Sequence, residues 1–591
     1  MNYTLKSKPA DAEPAKRPWQ TLWQNLSQLL ADEKRALAVA FVGIFLNAAL
    51  NICAPLLIGH AVDTYVLTKQ YQGILMYGGI LFVVYLLALV SGYVQTRWMG
   101  GVGQRVLFKL RNAIFTKLQE LPVAFFTQNK AGDLISRINN DTDKLNMFFS
   151  QSLMQLVGSL FIMLGAGIFL LSIHGRLGLA ALAPAAFLLV LTQLLSPWVK
   201  RQNTRNLQSV GGMSSEIQES LQNFKVIVAF NRRDYFRERF QEVNQSNYVT
   251  SMRASLANAI FTPLYGLSAN LAQLIVLAYG IYLITQGSFT LGLLISFLAY
   301  IHNFYTPLRQ LAALWSSFQV ALAGWERVSE ILALKTDLET VPSSETSACS
   351  KEGSVLSFKD VAFRYPDGKE VIKYVSFSLE KGKTYALVGP TGGGKTTTAS
   401  LMARLYDATE GSICLHGRDI RSYSPAERAQ KIGFILQEPF LFSGTIGENL
   451  VYGNEQYLQR SQEQLTQAIN QAGLTPLIQS FEKGLETPVT SGGDGMSVGE
   501  RQLIAFMRAV LRKPDVLILD EATANIDTVT EQKLERVMKQ LPKDTVKVII
   551  AHRLNTIEEA DEIFFVNGGQ VTPAGSLEHA VEMLMQGKRM S

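Results

Sequence analysis

Residues 385–396 read Tyr385-Ala386-Leu387-Val388-Gly389-Pro390-Thr391-Gly392-Gly393-Gly394-Lys395-Thr396. An apolar, strand-like run leads into the pattern G-x-x-x-x-G-K-T, and residues 396–406 (TTTASLMARLY) then follow a helical pattern. Strand, glycine-rich loop and helix in that order are the context of a phosphate cradle. Gly389, Gly392, Gly393 and Gly394 let successive backbone N–H groups wrap phosphate oxygens at a helix N-terminus, where the helix dipole adds favourable potential. Lys395 is placed to reach the β- and γ-phosphates, and the Thr396 hydroxyl to ligate a magnesium ion. Pro390, Thr391 and Thr397 complete the expected nucleotide-binding set. The stretch predicts an α/β domain that binds a nucleotide.

Further along, Val516-Leu517-Ile518-Leu519-Asp520-Glu521 is an apolar strand ending in two acids, about 120 residues after the cradle. Asp520 is placed to hold Mg²⁺, and Glu521 to polarise an attacking water. Positioning of this kind supplies most of phosphoryl-transfer catalysis.

The composition of the whole chain does not fit a soluble nucleotide enzyme alone. Its 591 residues are 48% hydrophobic and only 18% charged, against about 25% charged in soluble chains, and mean hydropathy is +0.12. Disordered, fibrous and ordinary soluble classes are excluded. Residues 36–320 hold six long apolar runs, near 36–62, 74–98, 147–173, 177–199, 256–286 and 290–320. Each is long enough to cross a bilayer. The connections after the second and fourth runs are long, helical in pattern and rich in Lys and Arg. Excess positive charge stays on the cytoplasmic side, so the long loops, both termini and the soluble half are expected there. Net charge is +6, with much of the excess in these loops, so no nucleic-acid partner is expected.

Trp19–Leu30 has Trp and Leu at helical spacing and suits a short interfacial helix. Cys53, Cys349 and Cys414 are too few and too scattered for a disulfide framework and suit a reducing compartment. The apolar runs hold almost no ionisable residues, Arg309, after Pro307, being the clear exception, and midplane acids of the kind that couple transport to ion gradients are missing. Phe297, Tyr300 and Phe304 share one helical face, which would line an amphipathic cavity or pack in the bundle.

Taken together these motifs resemble the ATP-binding cassette transporters. The soluble half is similar to their nucleotide-binding domain nearly end to end. Tyr365, in FRYP, resembles the aromatic residue that stacks on adenine. Gln437, in ILQEPFLF, resembles the glutamine that contacts Mg²⁺ and relays nucleotide state. Asp527, in ATANID, and His552, in IIAHRLNTI, resemble the D-loop aspartate and the switch histidine. The family's signature, usually LSGGQ, here reads Met496-Ser497-Val498-Gly499-Glu500. Ser497 and Gly499 are kept. Val498 and Glu500 depart from the pattern, and Glu500 puts a potential negative charge near the phosphate.

The resemblance implies ATP and Mg²⁺ as ligands, with Glu521, His552 and Gln437 catalytic. Thr396, Gln437 and Asp520 would hold the metal. It also implies a dimer, because each ATP lies between the phosphate loop of one domain and the signature of another. The partner half-transporter is a second copy or a different chain. The membrane half resembles the exporter branch, multidrug and lipid exporters of the type IV fold among them: residues 125–141 are similar to its first intracellular loop and 219–236 to its second. Expected domains are an N-terminal segment (1–35), a six-helix transmembrane domain (36–325), a linker (326–355, most polar over 333–355) and the nucleotide-binding domain with its helical subdomain (356–591). The expected function is ATP-driven export of an amphipathic small molecule, lipid or peptide across the cell inner membrane by alternating access. The alternatives are an exporter-fold importer, for example of a siderophore, and an ATP-gated membrane regulator.

Overall fold

The structure, a computed structural model, describes residues 3–5, 31–336, 338, 340–342, 353–365, 368–458, 461–520, 528–550 and 557–589. The interfacial helix expected over Trp19–Leu30 lies outside them. The chain forms two compact units: Lys8–Lys117 with Gly132–Leu332, and Met1–Ser7 with Leu118–Ala131 and Ala333–Ser591.

The first unit is helical. Among the described residues six helices are long and apolar enough to cross a membrane: Ala31–Val66, Tyr71–Glu120, Ala131–Ile173, Gly175–Gln222, Arg233–Thr285 and Leu291–Leu332. Each expected apolar run falls on one of them to within a residue. The helices continue well past the runs. Gly175–Gln222 has 48 residues, about 72 Å at 1.5 Å per residue, against a hydrocarbon core of about 30 Å. The last helix runs on to Leu332, into the stretch expected as linker. Pro55, Pro184, Pro197 and Pro307 lie inside these helices, where neighbouring groups can satisfy the freed carbonyls.

Small residues set the closest helix crossing. A Cβ on Gly292 would lie 2.0 Å from the Gly59 carbonyl oxygen, and one on Gly59 would lie 2.6 Å from the Gly292 oxygen. Side chains therefore cannot separate the first and last helices at this point. Beside the crossing, the Gly292 N–H donates to Asp63 Oδ1 (2.7 Å) and the Thr290 hydroxyl to Asp63 Oδ2 (2.5 Å). Asp63 so caps the last helix from a neighbouring one. Ser296 donates to the Pro55 oxygen, and Tyr300 to that of Ile52, both at 2.7 Å.

These contacts decide between the two readings of the Phe297–Tyr300–Phe304 face. Phe297 and Tyr300 are fully buried, and Tyr300 stacks on Phe169 at 5.5 Å. They pack within the bundle of one chain, and Phe304 packs against the same core while staying partly exposed. A cavity of about 860 Å³ lies elsewhere, among Lys200, Asn203, Gln208, Gln319, Val199 and Phe261. Arg309 is exposed in the chain.

Ion pairs close the far end of this unit. Arg137, only 1% exposed, donates to Asp133 (2.9 Å), Glu330 (2.8 Å) and the Arg327 carbonyl (2.8 Å). Arg327 in turn reaches Asp133 (2.5 Å) and Asp141 (3.1 Å). A buried charge with this many partners is tolerated, whereas one stripped of them is not. Cys53 is a free thiol, while Cys414 is disulfide-bonded, which the scattered spacing did not suggest.

The second unit is built on a six-stranded sheet. Its order is Gln570–Pro573, Glu562–Asn567, Thr384–Val388, Val546–Ile550, Val516–Asp520, Ile432–Ile435, parallel except for the first strand. Side chains alternate between two cores. Tyr385, Leu387, Ile518 and Val548 face one that also takes in the antiparallel sheet of Ser354–Arg364, Glu370–Glu380, Glu410–Leu415 and Arg418–Asp419. Ala386, Val388, Leu517 and Leu519 face the other, which contains the helices from Ile446 to Val510. Burial on both faces explains why the central strands read as unbroken apolar runs.

The glycine crossing yields a direct expectation. Gly292→Val should lower the thermal unfolding midpoint and the folded yield of the purified protein, because overpacking against backbone costs about 1–3 kcal/mol or more. Gly79→Ala, where an added Cβ meets nothing within 4 Å, should leave both unchanged.

Candidate nucleotide site

The register of the parallel sheet gathers the motif residues at one edge. Leu387 is level with Ile550, Ile550 with Asp520, and Leu519 with Ile435. The phosphate loop, Asp520 and the segment carrying Gln437 therefore all leave the sheet at its carboxyl edge, where open α/β sheets bind ligands.

The loop from Gly389 folds tightly over the sheet. Gly389 has φ 149°, and a Cβ there would meet the Val566 carbonyl oxygen at 2.0 Å; at Gly393 the same oxygen would be 2.5 Å away. The pattern's glycines thus answer to close backbone approach as well as to phosphate geometry. Gly394, with φ 113°, starts the Lys395–Met402 helix. Lys395 is 7% exposed and curls back over the loop, its Nζ donating to the Gly389 oxygen (2.8 Å) and the Pro390 oxygen (3.0 Å). These carbonyls hold the ammonium at the cradle that phosphate oxygens would enter.

Thr396 Oγ1 lies 3.5 Å from Asp520 Oδ1. Asp520 is 3% exposed at the end of its strand. A hydroxyl beside a buried carboxylate is a hard-oxygen pair that suits Mg²⁺. Gln437 lies two residues past the Ile432–Ile435 strand and is exposed. Tyr365 joins the same cluster. Its hydroxyl is 3.0 Å from Thr397 Oγ1, and its ring is 4.8 Å from Phe363 and 5.4 Å from Tyr406. The structure so brings together Tyr365, the loop 389–397 and Asp520. Glu521, Asp527 and His552 lie outside the described residues.

Ser497 and Gly499 stand on a different element, the start of the Val498–Val510 helix. Here the structure gives Glu500 a local role. Ser497 is the N-cap; the Glu500 N–H donates to Ser497 Oγ (3.1 Å), and the Ser497 N–H donates to Glu500 Oε2 (2.7 Å). This is a reciprocal capping box. The Glu500 carboxylate so satisfies a backbone donor at the helix start. The signal was present in the sequence as Ser-x-x-Glu at 497–500.

Residues 37–308 match the family model for the ABC transporter transmembrane region, and residues 372–524 that for ABC transporter. The chain is 33% identical over 563 residues to an uncharacterized ABC transporter ATP-binding protein of Bacillus subtilis, covering 94% of this chain and 92% of the relative. It is 34% identical over 493 residues to a fatty acid ABC transporter ATP-binding/permease protein of Mycobacterium bovis (83% and 77%). It is 31% identical over 577 residues to an ATP-dependent lipid A-core flippase of Vibrio parahaemolyticus (94% and 95%). Six helices able to cross a membrane, a glycine-rich loop at a sheet edge and these matches over most of the chain agree: the chain belongs to the ATP-binding cassette transporters, as an ATP-hydrolysing half-transporter of the exporter type.

Proposed function

We propose that the chain is one half of a dimeric exporter that moves an amphipathic or lipophilic molecule across the cell inner membrane by alternating access. The single observation that carries this reading is the clustering of Tyr365, the 389–397 loop and Asp520 in a chain that also has six membrane-crossing helices. The Lys and Arg excess of the long loops supports a cytoplasmic nucleotide domain and cytoplasmic termini. The proposed domains are 1–35, 36–325, 326–355 and 356–591, with the last membrane helix running on to Leu332.

In this reading the Tyr365 ring stacks on adenine and the loop amides bind the phosphates. Lys395 exchanges its carbonyl partners for β- and γ-phosphate oxygens. Thr396, Asp520 and Gln437 would hold Mg²⁺, which neutralises charge on the phosphate oxygens. Glu521 orients and polarises the attacking water, and His552 contacts the γ-phosphate. Ser497 and Gly499 face the γ-phosphate bound by the partner half, and Asp527 lies at the same interface. One phosphate loop and one signature per chain make a partner necessary, either a second copy or a different half-transporter. The mass of the purified complex distinguishes the two.

The capping box refines the signature's role. Because Ser497 Oγ accepts from the Glu500 N–H, its own hydroxyl proton is left to donate to a phosphate oxygen. The cargo class is supported by the mixed lining of the 860 Å³ cavity, where Asn203, Gln208 and Gln319 lie with Val199 and Phe261 around Lys200. The names of the fatty acid transporter and the lipid A-core flippase among its relatives point the same way.

Three outcomes are expected. Glu521→Gln should retain ATP binding while ATP turnover falls by at least about 100-fold, as loss of water positioning predicts; unchanged hydrolysis would remove Glu521 from the site. Glu500→Ala should raise KM for ATP several-fold, since losing a cap costs about 1 kcal/mol. Glu500→Gln, which preserves the box, should keep KM at or below the wild-type value, and equal KM values for the two variants would refute the cap's role. In reconstituted vesicles, oleate should stimulate ATPase activity and be carried away from the ATP side; movement toward that side would mean import.

A further inference from the structure

The amino terminus of the chain makes contacts that no step of the proposed cycle uses. Residues 3–5 lie along the short Val123–Gln128 helix, within the same compact unit as the nucleotide-binding strands. The Tyr3 N–H donates to Gln128 Oε1 (2.8 Å), and the Leu5 N–H to Asn129 Oδ1 (3.0 Å). Asn129 Nδ2 donates to the Tyr3 carbonyl (3.0 Å) and also to that of Phe125 (2.8 Å). One amide side chain thus pairs with the backbone of the terminal segment on both its donor and acceptor sides while closing the end of the helix. The Tyr3 ring meets Phe125 edge-on at 6.5 Å; Tyr3 is 2% exposed and Phe125 fully buried. Two side-chain amides so grip the backbone of the segment, and a buried aromatic ring anchors it against the helix.

The gripped helix leads toward the nucleotide site. Thr127, on its last turn, donates its hydroxyl to the Ala124 carbonyl (3.1 Å) and lies beside the Tyr406 side chain. Tyr406 packs at 5.4 Å against Tyr365, whose hydroxyl meets Thr397 of the phosphate loop. The helix is therefore touched on one side by the terminal segment and on another by the aromatic cluster of the nucleotide site.

We propose that residues 3–5 form a strap that fixes the position of the Val123–Gln128 helix, with Tyr3 and Asn129 as positioning residues for its response to nucleotide. The proposal rests on the reading of residues 125–141 as an intracellular loop that transmits ATP-driven movement. The strap holds the helix in register, so a change at Tyr365 and Tyr406 moves it as a unit. Without the strap the helix end frays, and the change is lost locally.

Hydrogen–deuterium exchange of the full-length protein in phosphatidylethanolamine–phosphatidylglycerol nanodiscs tests this, with and without Mg–ATP and vanadate. In Tyr3→Ala and Asn129→Ala, exchange over Val123–Gln128 should rise about fivefold to tenfold, as expected for loss of a buried aromatic contact in the first and of about one net hydrogen bond in the second. Exchange in the Thr384–Val388 strand and KM for ATP should stay unchanged. Tyr3→Phe, which keeps the ring, should behave as wild type. Nucleotide should slow exchange of the helix in wild type and in Tyr3→Phe, and much less in the two alanine variants. Unchanged basal exchange in the alanine variants would overturn the proposal. So would a rise spread over the whole nucleotide unit, or a nucleotide response equal to wild type. If wild type itself shows no nucleotide response, the transmission reading of the loop fails, and the basal comparison still decides whether the strap exists.

Discussion

In hydrocarbon a backbone N–H or C=O has no water to bind, and each one left unpaired costs several kcal/mol. That constraint forces the apolar half of this chain into helices, whose hydrogen bonds close within each segment. Helices that satisfy themselves need little from their neighbours, so what holds them together must come from shape and from a few polar contacts. The Gly59–Gly292 crossing, Asp63 capping the last helix and Ser296 bonded to the Pro55 carbonyl are contacts of that kind. The apolar side chains that remain outside, such as Leu75, Phe82 and Leu89, have no reason to turn inward when the solvent is lipid.

Where the helices leave the apolar zone the rule reverses. Charged groups become affordable, and the far end is closed by Arg137, Arg327, Asp133, Asp141 and Glu330. The nucleotide site, by contrast, draws its parts from several strand ends of one sheet.

Glu500 shows that a departure from the usual signature can carry a local structural role. In the structure its carboxylate accepts the Ser497 N–H and completes a helix cap. The Ser-x-x-Glu spacing was legible beforehand, and a family pattern that stresses glycine drew attention from it. Tyr300 and Phe297 are the opposite case. Helical spacing correctly put them on one face, but spacing cannot say whether a face meets a cavity or another helix; Phe169 and the Ile52 carbonyl decide it.

The sequence by itself determined the elements and the chemistry. Runs of apolar residues set six helices long enough to cross a membrane, and Gly389–Thr396 at a strand end marks the candidate nucleotide site, because hydropathy and loop geometry act over a few residues. Tertiary structure alone decided what distant segments do to each other. Gly59 and Gly292 are unremarkable in the sequence until two backbones approach within a side chain's width. Tyr3 and Asn129 are 126 residues apart, and nothing in either segment announces the other. The physical reason is range: propensity, capping and periodicity are written locally, whereas contacts across the fold depend on the geometry that all the local choices produce together.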